Sequence, residues 1–177
     1  SLDIRVINDG TSRLEDRLGA IGDINYVLAQ EKLQGPVIII GGDNLFEFEL
    51  ISMIEHFKKN QKDLVALSKE TDIEKLKQLG VVRIDSKGRI IFFEEKPKDH
   101  STTLFSTCIY IFAPDTLRRI PGYLAEGNDP DKPGSFIQWL HTRKEVYGYV
   151  NKGNFIDIGT PKALEEARNR ALVQPKK

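Results

Sequence analysis

Three segments carry side chains whose types and spacing could do chemistry. The first is Gly41-Gly42-Asp43-Asn44, which closes the apolar run Val37-Ile38-Ile39-Ile40. Paired glycines let a backbone approach a ligand closely, and Asp43 adds a carboxylate beside it. A strand-to-helix turn with Asp as a cap reads the same residues without a ligand. The second is Asn154-Phe155-Ile156-Asp157-Ile158-Gly159-Thr160-Pro161, where Asp157 stands between apolar residues in a segment expected to be buried. A buried carboxylate is costly unless paired or bound to a metal, so Asp157 is expected to hold a cation or to sit in a salt bridge or cap. The third is Phe92-Phe93-Glu94-Glu95-Lys96-Pro97. Lys96 could hold a phosphate as a point charge and Glu95 could accept from sugar hydroxyls; a solvated charge cluster before a proline is the plainer reading.

The elements that must position these residues follow from hydrophobic periodicity. Ile4–Ile7 reads as a short strand before a polar stretch, Asn8–Arg17. Gly19 and Gly22 bracket the start of a helix carrying Ile24, Val27, Leu28 and Leu33, with Asp23 as its N-cap and Gly35-Pro36 as its stop. Val37–Ile40 lacks alternation, which predicts a strand covered on both faces, as in a parallel sheet between helices. A helix over Phe48–Lys59 presents Leu50, Ile51, Ile54 and Phe57, and Leu64–Leu67 is the next strand. This β-α-β-α-β order predicts an α/β domain with right-handed crossovers. After a short helix at Ile73–Leu79, Val81–Ile84 and Ile90–Phe93 flank the turn Asp85-Ser86-Lys87-Gly88 as a hairpin. Thr107–Ala113 is a further strand, and Pro114 opens a helix with Leu117 and Ile120. Asn128–Gly134 reads as a surface loop, Phe136–Leu140 as a helix with Phe136 and Trp139 in the core, and Val146–Val150 as a strand. Thr160 caps a last helix that has Pro161 in its first turn and Leu164, Ala167, Arg168 and Leu172 beyond.

No linker or repeat divides the chain, so residues 1–177 read as one domain. Lys plus Arg and Asp plus Glu number 26 each, which gives no field to attract nucleic acid or an anionic membrane. A phosphate site must then be local. Cys108, the single cysteine, sits in an apolar run and is expected to be a buried, inert thiol. No apolar stretch approaches the ~20 residues of a membrane span, and no signal peptide is apparent, so the cytoplasm is the expected location. His56, His100 and His141 lack metal-site spacing. Lys58, Lys59 and Lys62 read as a solvated helix end, and Asp129-Pro130-Asp131 as a loop rather than a metal site.

Taken in order, the three segments resemble the sugar-1-phosphate nucleotidyltransferases, which make UDP-, dTDP- or GDP-sugars. The resemblance rests on Val37–Phe46 (the family's strand ending in G-D-x-x-F), Leu79-Gly80-Val81-Val82, Glu94-Glu95-Lys96-Pro97, Cys108–Phe112 and Phe155–Pro161. It implies a three-layer α/β/α sandwich with a Rossmann-like mixed sheet of the nucleotide-diphospho-sugar transferase type. It also implies that Asp43 and Asp157 hold a catalytic Mg²⁺, Gly80 faces the sugar through its backbone, Glu95 binds sugar hydroxyls and Lys96 binds the sugar phosphate. Asn44 would help to position phosphates. Leu18-Gly19-Ala20-Ile21-Gly22 is similar to the family's turn beside the nucleobase, so Gly19 and Gly22 would bind nucleotide, although Ala20-Ile21 departs from the usual Thr-Ala. The implied partners are a nucleoside triphosphate and a sugar 1-phosphate. In the implied reaction a sugar-phosphate oxygen attacks the α-phosphorus in line and pyrophosphate leaves, a step that needs positioning and charge neutralisation more than covalent help.

Members of the family open with a strand and a loop of the form G-x-G-T-R, followed by a P-K pair, which handle the triphosphate. The G-x-G-T-R loop occurs nowhere in these 177 residues, so no Pro-Lys pair follows one, and Gly10-Thr11-Ser12-Arg13 is only a superficial echo. Together with a start at Ser1-Leu2 that reads as a cloning remnant, this predicts a domain truncated at its N-terminus and inactive alone. In the family the absent strand lies beside the equivalent of Val37–Ile40, so an open apolar edge and a homo-oligomer, strand swap or rearranged edge are expected. Two rivals stay open: a non-catalytic sugar-phosphate or nucleotide-binding module, and an unrelated α/β enzyme with Asp43 as nucleophile.

Overall fold

The computed structural model describes residues 3–98 and 102–173, with side chains to Asn169 at the C-terminal end. The expectations for Ser1-Leu2, His100 and the Leu172 side chain lie outside these residues. In chain order, after a 3-10 turn at Leu14–Asp16, the elements are α1 (Ala20–Glu31), β1 (Val37–Ile40), β2 (Asn44–Phe46), α2 (Leu50–Asn60), β3 (Leu64–Lys69), α3 (Ile73–Leu76), β4 (Gly80–Ile84), β5 (Ile90–Glu95), β6 (Leu104–Phe112), α4 (Pro114–Leu117), α5 (Ile120–Ala125), α6 (Pro133–Leu140), β7 (Tyr147–Val150), β8 (Phe155–Asp157) and α7 (Pro161–Val173).

Six strands form a mixed sheet in the order β5-β4-β6-β3-β7, with β1 also on β6. β3 and β7 run parallel, whereas β1, β3 and β4 are antiparallel to β6. One edge of β6 serves two partners: Phe105 meets Val81 of β4, and Ile109–Phe112 meet β1. Cys108, at φ 53°, marks the irregularity between them. Because side chains alternate along a strand, β3 and β6 feed two cores. Val65, Leu67, Tyr110 and Phe112 join Ile21 of α1, Ile120 and Tyr123 of α5 and Phe136, Ile137 and Leu140 of α6. On the opposite face Leu64, Ala66, Ile109 and Ile111 join Met53 and Phe57 of α2. Helices thus cover both faces, as the three-layer expectation requires. Among the described residues no helix is long and apolar enough to cross a membrane.

Several expectations change. β1 is not fully covered and its neighbour is antiparallel: Ile38 and Ile40 stay 39% and 42% exposed. No further strand pairs with β1 among the described residues. Ile4–Ile7 forms no strand; Ile4 and Val6 are exposed and have no partner to satisfy an extended backbone. Asp23 lies inside α1, whose N-cap is Gly19, and Ile51 points to solvent. Phe136 is core as expected. Trp139 packs against the same cluster while its Nε1 donates to Glu126 Oε2 at 2.7 Å.

The costly buried carboxylate is Asp63, not Asp157. Asp63 is fully buried just before β3 and accepts from Ala113 N (2.7 Å) and Thr116 Oγ1 (2.6 Å), and Lys144 Nζ lies 2.7 Å away. Lys144 also reaches Asp115 at 2.7 Å and holds that carboxyl below its ordinary value. The network ties the start of β3 to α4 and to the segment leading into β7.

Candidate active site

β2 and β8 pair outside the main sheet, with Asn44 opposite Asp157 and Phe46 opposite Phe155. This small ribbon brings two segments distant in sequence together. Ile158 N donates to Asp43 O at 2.8 Å, and Gly159 N donates to Asp157 Oδ1 at 2.7 Å. A Cβ built on Gly159 would lie 3.0 Å from Asp157 Oδ1 and 3.1 Å from Asp43 Oδ2, so both carboxylates converge on that glycine. Both aspartates are exposed, contrary to the buried setting expected for Asp157.

Beside the ribbon lies a cavity of about 190 Å³. Asn44 and Asp157 form one side, Gly80, Glu95 and Lys96 another, and Asp131, Lys132 and Gly134 a third. The β4–β5 register sets Gly80 opposite Glu95. A Cβ on Gly80 would come within 2.8 Å of Glu95 Oε2, and one on Gly134 would fall on the same carboxylate, so two glycines leave the room that Glu95 occupies. Lys96 is exposed at φ 49° and anchored through its backbone N–H to Leu79 O at 3.1 Å. A left-handed lysine costs of order 1–2 kcal/mol, a strain typical of functional positions. The Asn44 Nδ2 is buried without a hydrogen-bond partner among the described residues, leaving an amide donor at the cavity edge.

Electrostatics follow from this arrangement. Burial pushes the Glu95 carboxyl above its ordinary 4.5; Lys96 and Lys132 partly oppose this, and Asp129 adds to it. Folding therefore favours protonated Glu95. That contribution is present below the unfolded value and is lost as pH rises through the raised folded value. Glu95→Gln is accordingly expected to raise the urea midpoint at neutral pH, with the gain vanishing below pH 4.5. A midpoint lowered at neutral pH would contradict the burial cost. Cys108 is partly buried, packs against the first core and also lines the cavity, and its thiol is pushed up first by burial and further by Glu95, Asp43 and Asp157. A thiol raised in this way stays protonated at neutral pH.

Sequence reasoning missed Lys132, Gly134 and Gly159. Lys132 and Gly134 fall in or beside a segment whose prolines and aspartates read as surface loop; Gly159 belonged to a recognised motif but had no assigned role. Gly19 and Gly22 do not line this cavity. A Cβ on Gly22 would meet Leu18 at 2.9 Å, and Gly19 is closed off by Pro130. Two carboxylates without a third His, Cys, Asp or Glu among the described residues suit a hard cation that keeps water and phosphate oxygens as its other ligands.

The Nucleotidyl transferase family model matches residues 7–174. The chain belongs to that family. Among relatives of this family member, a glucose-1-phosphate adenylyltransferase of Ruminiclostridium cellulolyticum is 31% identical over 137 residues, covering 74% of this chain and 32% of that protein. A second, from Clostridium acetobutylicum, is 31% identical over 134 residues, covering 74% and 35%. The chain thus spans about a third of the length of these relatives. The solved UDP-glucose pyrophosphorylase complexed with UDP-glucose superposes with a TM-score of 0.73 at 24% identity, over 88% of this chain and 62% of that one. At that identity the match establishes the nucleotidyl transferase fold.

Proposed function

We propose that this domain forms the metal and sugar-phosphate part of an enzyme that transfers a nucleotidyl group from a nucleoside triphosphate to a sugar 1-phosphate. The observation that carries the reading is the convergence of Asp43 and Asp157 beside a cavity holding Glu95, Lys96 and Lys132. Relatives described as glucose-1-phosphate adenylyltransferases support the reaction class. Mg²⁺ held by the two aspartates would neutralise phosphate charge. Glu95 accepts from sugar hydroxyls, Lys96 orients the sugar phosphate, and the Asn44 amide donates to a phosphate oxygen. The sugar phosphate's oxygen forms a bond to the α-phosphorus as the bond to pyrophosphate breaks. Gly19 and Gly22 stay in the reading as part of the nucleotide-side turn. A single unpaired cysteine and triphosphate substrates fit a cytoplasmic setting.

The test is pyrophosphate release with glucose 1-phosphate and each common nucleoside triphosphate, on this chain and on any longer polypeptide carrying it. Turnover is expected only where a G-x-G-T-R loop is joined to the domain. Turnover by the 177-residue chain would show that loop to be dispensable, and none in a loop-bearing polypeptide would sink the proposal. The half-exposed Ile38 and Ile40 on β1 further support self-association through that edge. Light scattering is expected to report a dimer, and a monomer at high concentration would contradict it.

A further inference from the structure

We propose that Gly19 and Arg17 are positioning residues for the sugar-phosphate wall of the cavity, acting through Pro130 and Asp131. The inference rests on the nucleotidyl-transfer reading above. Three contacts from one short segment hold two consecutive residues of the loop. Gly19, at φ 77°, packs so closely that a Cβ would lie 2.7 Å from both the carbonyl carbon and oxygen of Pro130 and 2.9 Å from Asp131 N. Ile21 N donates to Pro130 O at 2.8 Å, and Arg17 Nη2 sits 3.2 Å from Asp131 Oδ1. From the other side, Tyr123 Oη donates to Asp129 O at 2.7 Å and Lys132 Nζ pairs with Asp129 Oδ2 at 2.9 Å.

The residues that follow this clamp build the wall. Asp131, Lys132 and Gly134 line the cavity, and Gly134 abuts the Glu95 carboxylate. Pro130 and Pro133 each fix a backbone angle, leaving little slack to absorb a shift between clamp and wall. Neither Gly19 nor Arg17 touches the cavity, so their influence is positional. An alanine at Gly19 must adopt a left-handed backbone and displace main-chain atoms that cannot rotate away.

The experiment measures the dissociation constant of α-glucose 1-phosphate at saturating Mg²⁺ by amide-shift titration of this chain. It compares the parent with Gly19→Ala, Arg17→Gln and Arg17→Lys, with urea midpoints in parallel. Gly19→Ala is expected to weaken binding by about 10-fold or more and to shift the Gly134 amide, since a misplacement of ~1 Å costs up to ~10²-fold. Arg17→Gln, an exposed and fold-safe change, is expected to cost about 2–5-fold, and Arg17→Lys to restore most of it. Unchanged sugar-phosphate affinity in Gly19→Ala and Arg17→Gln, with the parent binding normally, would overturn the positioning role alone. If Gly19→Ala does not fold, the Arg17 pair decides. A parent chain that fails to bind glucose 1-phosphate would overturn both this inference and the reading beneath it.

Discussion

Replacing Asp157 with asparagine is expected to weaken divalent-cation binding by about 10²-fold, the upper end of what losing even an outer-shell partner costs a metal site. The substitution is close to isosteric, and the asparagine oxygen still accepts from Gly159 N, now at 2.7 Å from Asp157 Oδ1. The local turn should survive while one of two converging charges disappears. Mn²⁺ titrated into the chain with glucose 1-phosphate and followed by electron paramagnetic resonance reads the effect directly. Asp43→Asn should behave alike. Because both carboxylates would hold one ion, the double variant should lose much less than the product of the single losses. Mn²⁺ affinity within about 2-fold of the parent in either variant would remove that aspartate from the proposed site.

Asp63→Ala carries the largest expected effect on stability, about 3–5 kcal/mol. It strands the Ala113 amide, removes the acceptor of the Thr116 hydroxyl, and leaves Lys144 with Asp115 and Thr116 Oγ1. Set against the roughly 5–15 kcal/mol that holds a domain folded, this is a large fraction. Asp63→Asn keeps one acceptor oxygen and should cost less. Urea denaturation of the three proteins at neutral pH checks the order. A loss below about 1 kcal/mol for Asp63→Ala would mean that water or a neighbouring side chain replaces the network.

The sheet strands were legible because apolar runs such as Leu64–Leu67 and Cys108–Phe112 must bury side chains on both faces. The hairpin was legible from Asp85–Gly88, where turn chemistry is local. What escaped was non-local. Asn44-Leu45-Phe46 is too short to announce a strand and becomes one only by pairing with Phe155–Asp157. In that pairing Asp157 stands exposed opposite Asn44, a placement that its flanking isoleucines do not reveal. Asp63 gave no signal either, since its partners come from Ala113, Thr116 and Lys144, far along the chain. The irregularity of β6 at Cys108 follows from a change of partner strand, which no residue type marks. Asp43, Asn44, Glu95, Lys96 and Asp157 were singled out by motif, and they lie around the ribbon and its cavity. Lys132 and Gly134 were hidden in a loop whose prolines read as surface, although Pro133 at the first turn of α6 was a helix-start signal.

The proposed function requires that the ribbon carboxylates and the Glu95–Lys96 cavity act as one Mg²⁺-dependent sugar-phosphate site. An amide-resolved titration of the chain with α-glucose 1-phosphate, with and without Mg²⁺, tests it most directly. Saturable shifts are expected at Asn44, Gly80, Glu95, Lys96, Gly134 and Asp157, with binding that tightens when Mg²⁺ is present. Shifts confined to other surfaces, or binding at this cavity indifferent to Mg²⁺, would contradict it.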